Sequence, residues 1–178
     1  MTLPTPRTWT RRIGLAGAAA VLVAAGVGTG LALADRGDDP AGPAERQAEV
    51  AERGAEVMPF DLDRTTPVFT ERPDGGVQVV TADDSADAEQ VRLVRAHLGE
   101  EAEAFARGDF GDPASIHGSD MPGLAALEAG VGQIAVSYQD VPAGGQLTYT
   151  TSDPALVEAL HAWFDAQVSD HGNHAEHG

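Results

Sequence analysis

Residues 13–34 carry no charge and are apolar on every side, a run of 22 residues built mainly from Ala, Val, Leu and Gly. That is long enough to cross the hydrocarbon core of a bilayer. Beyond it the pattern becomes periodic. Thr65–Thr70 and Gly76–Thr81 are β-branched runs separated by Arg72-Pro73-Asp74-Gly75, which predicts a hairpin. Val91, Val94, Leu98, Ala102 and Phe105 then recur at spacings of 3, 4, 4 and 3, one apolar face of a helix that starts near Asp84/Ser85 and stops at Gly108. Gly111, Pro113, Gly118, Pro122 and Gly123 predict an irregular loop over 109–123, and Leu124–Ala129 a short helix. Ile134–Tyr138 and Gln146–Thr151 flank Pro142-Ala143-Gly144-Gly145, a second hairpin. Ser152 or Asp153 caps a last helix with Pro154 in its first turn and Leu156, Leu160, Trp163 and Phe164 toward the core.

The order ββα, short α, ββα predicts an α+β domain, an antiparallel sheet of two hairpins with helices packed on one face, preceded by an N-terminal transmembrane or signal helix. Gly75-Gly76 with Thr81 recurs as Gly144-Gly145 with Thr150, which leaves a duplication open, although Gln78 falls where Leu147 does and the apolar phase disagrees. Both glycine pairs read as turn residues. Eight of the nine aromatic residues lie between 60 and 164, so the globular domain is expected over 58–171. Residues 1–34 form the signal anchor or signal peptide, 35–57 a linker and a thinly apolar stalk helix, and 172–178 a His-rich tail.

Arg7, Arg11 and Arg12 precede the apolar run and Asp35, Asp38 and Asp39 follow it, which places the N-terminus inside and the domain on the extracytoplasmic side of the cell membrane. Ala32-Leu33-Ala34 is a small-x-small site that a signal peptidase could cut, so a membrane anchor and a secreted, cleaved form both remain open. Thr10-Arg11-Arg12 also fits a twin-arginine export signal.

Charge narrows the classes of partner. The 178 residues hold 28 Asp+Glu against 11 Lys+Arg, a formal net charge of −17. Every basic residue is arginine and none lies beyond Arg107, while 108–178 carries ten carboxylates. Nucleic acid binding needs clustered cations to neutralise phosphates, so it is excluded, and no nucleotide or phosphate ligand is expected. With no cysteine there are no disulfides, thiolate metal sites or thiol nucleophiles.

Five of the six histidines sit in the arginine-free half. Neutral imidazole among carboxylates suits a divalent transition metal such as Cu, Zn or Ni, and a methionine adds affinity for copper. His117, Asp120 and Met121 lie within five residues of one expected loop, and His161 and Asp165 are i,i+4 on the last helix. With His171 as a further ligand, the candidate set is His117, Met121, His161, Asp165 and His171. The simpler reading is that these residues satisfy loop backbone, fill the core or edge a helix. His97 and Glu101 repeat the i,i+4 spacing on the first long helix, and read most simply as a solvated flank. No Gly-x-Ser-x-Gly elbow, His-Glu-x-x-His helix or phosphate-binding glycine loop is present.

Phe60-Asp61-Leu62-Asp63-Arg64-Thr65-Thr66, Gly108-Asp109-Phe110, Ile116-His117-Gly118 with Met121-Pro122-Gly123, and Leu160-His161-Ala162-Trp163-Phe164-Asp165-Ala166-Gln167 with Asp170-His171-Gly172 resemble a family of exported, membrane-anchored proteins from high-GC bacteria. The resemblance covers most of 44–172 and points to no particular chemistry. In that family a histidine follows the paired threonines, where this chain has Pro67. Some members carry the label aspartate carbamoyltransferase. Such an enzyme needs two α/β domains, Ser/Thr-Arg-Thr-Arg and His-Pro-type motifs and several cations around carbamoyl phosphate, none of which this chain offers.

The expectation is therefore a membrane-tethered or secreted binding domain that takes a divalent metal. Two alternatives stand beside it, an enzyme using His117 or His161 as general base and a protein-interaction module without metal.

Overall fold

The computed structural model describes residues 42–178. The apolar run 13–34, with the expected anchor or leader, lies outside the described residues. Among those described, no helix is long and apolar enough to cross a membrane. The elements are α1 (Pro43–Val57), a 3-10 turn (Leu62–Arg64), β1 (Thr65–Arg72), β2 (Gly75–Ala82), α2 (Ala88–Ala106), α3 (Gly111–His117), α4 (Leu124–Ala129), β3 (Ala135–Val141), β4 (Gly144–Thr150), α5 (Pro154–His171), a second 3-10 turn (Gly172–His174) and β5 (Glu176–His177).

One mixed sheet runs in the order β3-β4-β2-β1-β5. Both expected hairpins form, and they join through an antiparallel β2–β4 pairing; β5 lies parallel to β1 at the edge. Gly76 and Gly145 belong to the strands, not to the turns. A Cβ on Gly76 would lie 2.4 Å from Phe164 of α5, and one on Gly145 would lie 2.8 Å from Tyr138 and 3.0 Å from Leu98 of α2. The β2–β4 register puts Gly76 opposite Tyr149 and Gly145 opposite Val80, positions that share one face with Gln78 and Leu147. Both long helices therefore press on the same side of the sheet, and these glycines let them approach.

Gln78 pairs directly with Leu147, and Gly75–Thr150 mirrors Thr81–Gly144. The two hairpins are thus related about the Gln78–Leu147 pair, and the apparent mismatch of phase disappears. Gln78 faces the helices because its carbonyl oxygen accepts from the buried Tyr149 hydroxyl at 2.9 Å. The core between sheet and helices is aromatic: Phe105 stacks on Phe110 with centroids 4.6 Å apart, and Trp163 stands edge-on to both.

Three further expectations change. α1 does not stand free as a stalk, since Val50 is fully buried, Gly54 lies against Leu62 and Ile116, and the helix packs on α3 and α5. The expected loop 109–123 contains α3, with Pro113 in its first turn, where a missing N–H costs nothing. The His-rich tail is held: Ala175 is buried, Phe69 and His177 pair, and the Gly178 N–H donates to the Phe69 carbonyl at 2.9 Å.

Candidate functional site

The five sequence-predicted ligands are distributed over several surroundings. Met121 is buried in the aromatic and aliphatic core, where its thioether fills space. His161 ties α5 to the first hairpin, its Nε2–H shared between the carbonyls of Gly75 at 2.9 Å and Arg72 at 3.1 Å. Asp165 is exposed and does not meet His161; the histidine beside it is His177, with Nε2 3.8 Å from its carboxylate. Only His117 and His171 come together, with ring centroids 5.0 Å apart and edge-on. His161 and His171 stand ten residues apart on α5, about 15 Å along its axis.

His117 and His171 belong to a closed network. Asp170 receives Arg46 Nε at 3.0 Å, Arg46 Nη2 at 2.7 Å and His117 Nδ1 at 2.8 Å, while Arg46 Nη2 also donates to the His117 carbonyl at 2.6 Å. α1, α3 and α5 are clasped by one carboxylate. Burial alone would raise the Asp170 carboxyl, but the hydrogen bonds from Arg46 and His117 outweigh it and hold the group below its ordinary range. Burial lowers His117 despite Asp170, so its imidazole is neutral, with Nδ1–H donating and Nε2 left as an acceptor. Burial, with His117 alongside, pushes His171 down to about 4.

A second cluster was only half visible in the sequence. His97 and Glu101 are not a solvated flank; both lie on the buried side of α2, 7% and 8% exposed. Asp112, from the first turn of α3, joins them, and the three offer ligand atoms that all lie within 4.8 Å of one another. Among the described residues no other trio of His, Asp and Glu does so. Burial, then the neighbouring Asp112, pushes the Glu101 carboxyl up to about 8, and burial lowers His97. Outside them is a groove of ≈ 230 Å³ where Glu100, Glu101, Asp109 and Asp112 share the wall with one cation, Arg107.

Residues of both clusters, His97 and Glu101 of the one and His117 and His171 of the other, line a mainly apolar cavity of ≈ 90 Å³ under the sheet. Pro67, where the resembled family has a histidine, lines it too. Its one hydroxyl side chain, Thr65, donates to the Asp61 carbonyl at 3.0 Å. The His117–Asp170 dyad therefore has a base and an orienting carboxylate in a concave setting, but no protein hydroxyl left to activate. Trp163, fully buried in the cavity wall, has an indole N–H without a partner. An orphaned donor of this kind costs about 1–3 kcal/mol.

No protein-family model, curated protein or solved structure matches the chain.

Proposed function

We propose that the chain is an exported, membrane-tethered binding domain whose residues 42–178 hold one divalent transition metal through His97, Glu101 and Asp112. The observation that carries this reading is the convergence of one imidazole and two carboxylates within 4.8 Å, from two helices, in a groove poor in cations. Zinc bound at about 2.0–2.2 Å needs its ligand atoms roughly 3.5 Å apart, a contraction of about 1 Å that side-chain rotation supplies. One nitrogen and two oxygens suit zinc, with nickel next, and the burial of Met121 removes the thioether that favoured copper. The fourth position opens to the groove, available to water or a ligand. A site that gathers carboxylates recruits cations and repels nucleotides, phosphates and nucleic acid. The leader 13–34 and its flanking charges support placement on the extracytoplasmic face of the cell membrane, or secretion after cleavage at Ala34.

One observation favours a second reading. His117 donates its Nδ1–H to Asp170 and keeps Nε2 free near His171, the support that metal-bound histidines commonly have. A bis-imidazole pair suits copper.

Equilibrium dialysis of the full chain against zinc and copper separates the two. His174→Gln and His177→Gln are present throughout, removing exposed chelators while keeping the tail paired to β1. His97→Ala, Glu101→Gln and Asp112→Asn should each abolish stoichiometric zinc binding, and His117→Ala should leave it. The reverse pattern would establish the bis-imidazole site, and no binding to any form overturns both.

A further inference from the structure

The two edges of the sheet differ. At one, β1 carries Pro67 and is partly covered by β5, and the Gly178 N–H donates to the Phe69 carbonyl. At the other, β3 pairs on one side only, among the described residues. Its seven residues run beside β4 without a bulge and include no proline, lysine or arginine, so it lacks the devices that usually blunt an edge.

The hairpin fixes which groups of β3 are free. Val141 and Gly144 close a two-residue turn and form a hydrogen-bonded pair, so residues 135, 137, 139 and 141 spend their N–H and C=O on β4. The alternation agrees on the other side of the turn, where the Ala143 carbonyl accepts from the Ala82 N–H of β2. Val136, Tyr138 and Asp140 therefore point their backbone groups outward from the sheet.

The strand is complementary to itself. With Ser137 of two copies on a dyad, Val136 of each stands opposite Tyr138 of the other, and each such pair exchanges both of its hydrogen bonds. Asp140, the one charged residue of the strand, falls opposite Ile134 and not opposite a second carboxylate. Within its own chain it accepts from the Tyr138 hydroxyl and lies 3.5 Å from Arg95. In a chain of net charge −17, an edge with so little charge is where a second copy meets least repulsion. A dyad between antiparallel strands is normal to the sheet, so both copies carry their helices on the same side. α1 packs on α3 and α5 in that layer, and Gly42, where residues 1–41 join, caps it. Two chains tethered to one membrane need that disposition.

We propose that β3 is a self-association edge: a second copy of this chain adds antiparallel to it through Val136 and Tyr138, joining two five-stranded sheets into one. The proposal does not rest on the metal reading, and its test is run in EDTA so that either can fail alone.

The chain has no cysteine, so single introduced cysteines report the pairing. Facing residues of a non-hydrogen-bonded antiparallel pair lie about 4.5 Å apart at Cα, within reach of a disulfide. Full chain in detergent carrying Ser137→Cys and treated with diamide should give at least tenfold more disulfide-linked dimer than Gln139→Cys, which is also exposed. Ala135→Cys and Gln139→Cys should link to each other when mixed, and neither to itself. Val136→Pro removes no bond to β4 and should lower the Ser137→Cys linkage at least tenfold; if that variant does not fold, the cysteine pattern decides alone. The proposal is overturned by absence of linkage at 137, by equal linkage at 137 and 139, or by linkage that a folded Val136→Pro leaves unchanged.

Discussion

Two histidine–carboxylate clusters border one cavity, and they differ in where their positive charge comes from. At the junction of α1, α3 and α5, Arg46 supplies it: both oxygens of Asp170 are occupied, and the group stays ionised although burial opposes that. Where α2 meets α3, no guanidinium is hydrogen-bonded to Glu101 or Asp112, and the buried carboxyl of Glu101 is pushed up to about 8. The first cluster is complete without a ligand and fastens the helices. The second has no cation paired with its carboxylates, although Arg107 lines the same groove, and a bound divalent ion would supply one while lowering the carboxyl again. Residue types alone would have ranked these clusters the other way, since the closed one has more imidazole. On the proposed reading, charge balance within hydrogen-bond distance is what separates a cluster that takes a metal from one that does not.

Breaking the closed cluster should have the largest effect. Asp170→Asn leaves Arg46 and His117 without their carboxylate and should cost about 2–3 kcal/mol in urea unfolding, below the full cost of breaking a buried pair because the guanidinium is partly solvated. A loss under about 0.5 kcal/mol would mean that the clasp contributes nothing. Glu101→Gln probes the other side: zinc affinity should fall about 100-fold or more, beyond what loss of a group that only hydrogen-bonds a metal ligand does, while the metal-free fold is not destabilised. Because the folded Glu101 carboxyl lies near 8 against an ordinary 4.5, the native state binds the extra proton between those values. Wild-type stability without metal should therefore fall as pH rises across that window, and the stability difference in favour of Glu101→Gln should widen up to pH 8 and then level off.

A smaller effect separates the clusters by pH in the opposite direction. His171 lies near 4 when folded against 6.5 for the ordinary group, so its contribution is intact above 6.5 and is lost as pH falls toward 4. Thermal unfolding of His171→Gln should show a flatter decline over that interval than wild type. A parallel decline would show that His171 is not buried as a neutral ring. The smallest effect belongs to His161, outside both clusters. His161→Ala should cost about 1 kcal/mol for the shared hydrogen bond to the hairpin and leave zinc affinity unchanged, which dialysis checks directly.

Much of the sheet and the two long helices could be read from residue order because their signals are local. Pro73-Asp74 and Pro142-Ala143 mark the hairpin turns, and the 3–4 spacing from Val91 to Phe105 marks α2. α3 was hidden because Gly111 and Pro113 look like breakers, yet a proline in the first helical turn is no obstacle. α1 resembles a stalk in sequence because its contact face is small: Val50 and the glycine at 54, where a Cβ would lie 2.9 Å from Leu62, hold it in place. For the site, the i,i+4 spacing is the same in His97/Glu101 and His161/Asp165, and the sequence reading takes the second pair as ligands and the first as a solvated flank. Only tertiary placement distinguishes them, since Asp112 arrives from another helix and His161 is turned to the hairpin carbonyls. Periodicity carries no information about such a third partner.

The most direct measurement is an anomalous difference map at the zinc absorption edge from crystals of the full chain grown with one equivalent of zinc. The expected result is a single strong peak about 2.0–2.2 Å from a ring nitrogen of His97 and from carboxylate oxygens of Glu101 and Asp112. A peak between His117 and His171, or no peak within reach of His97, would contradict it.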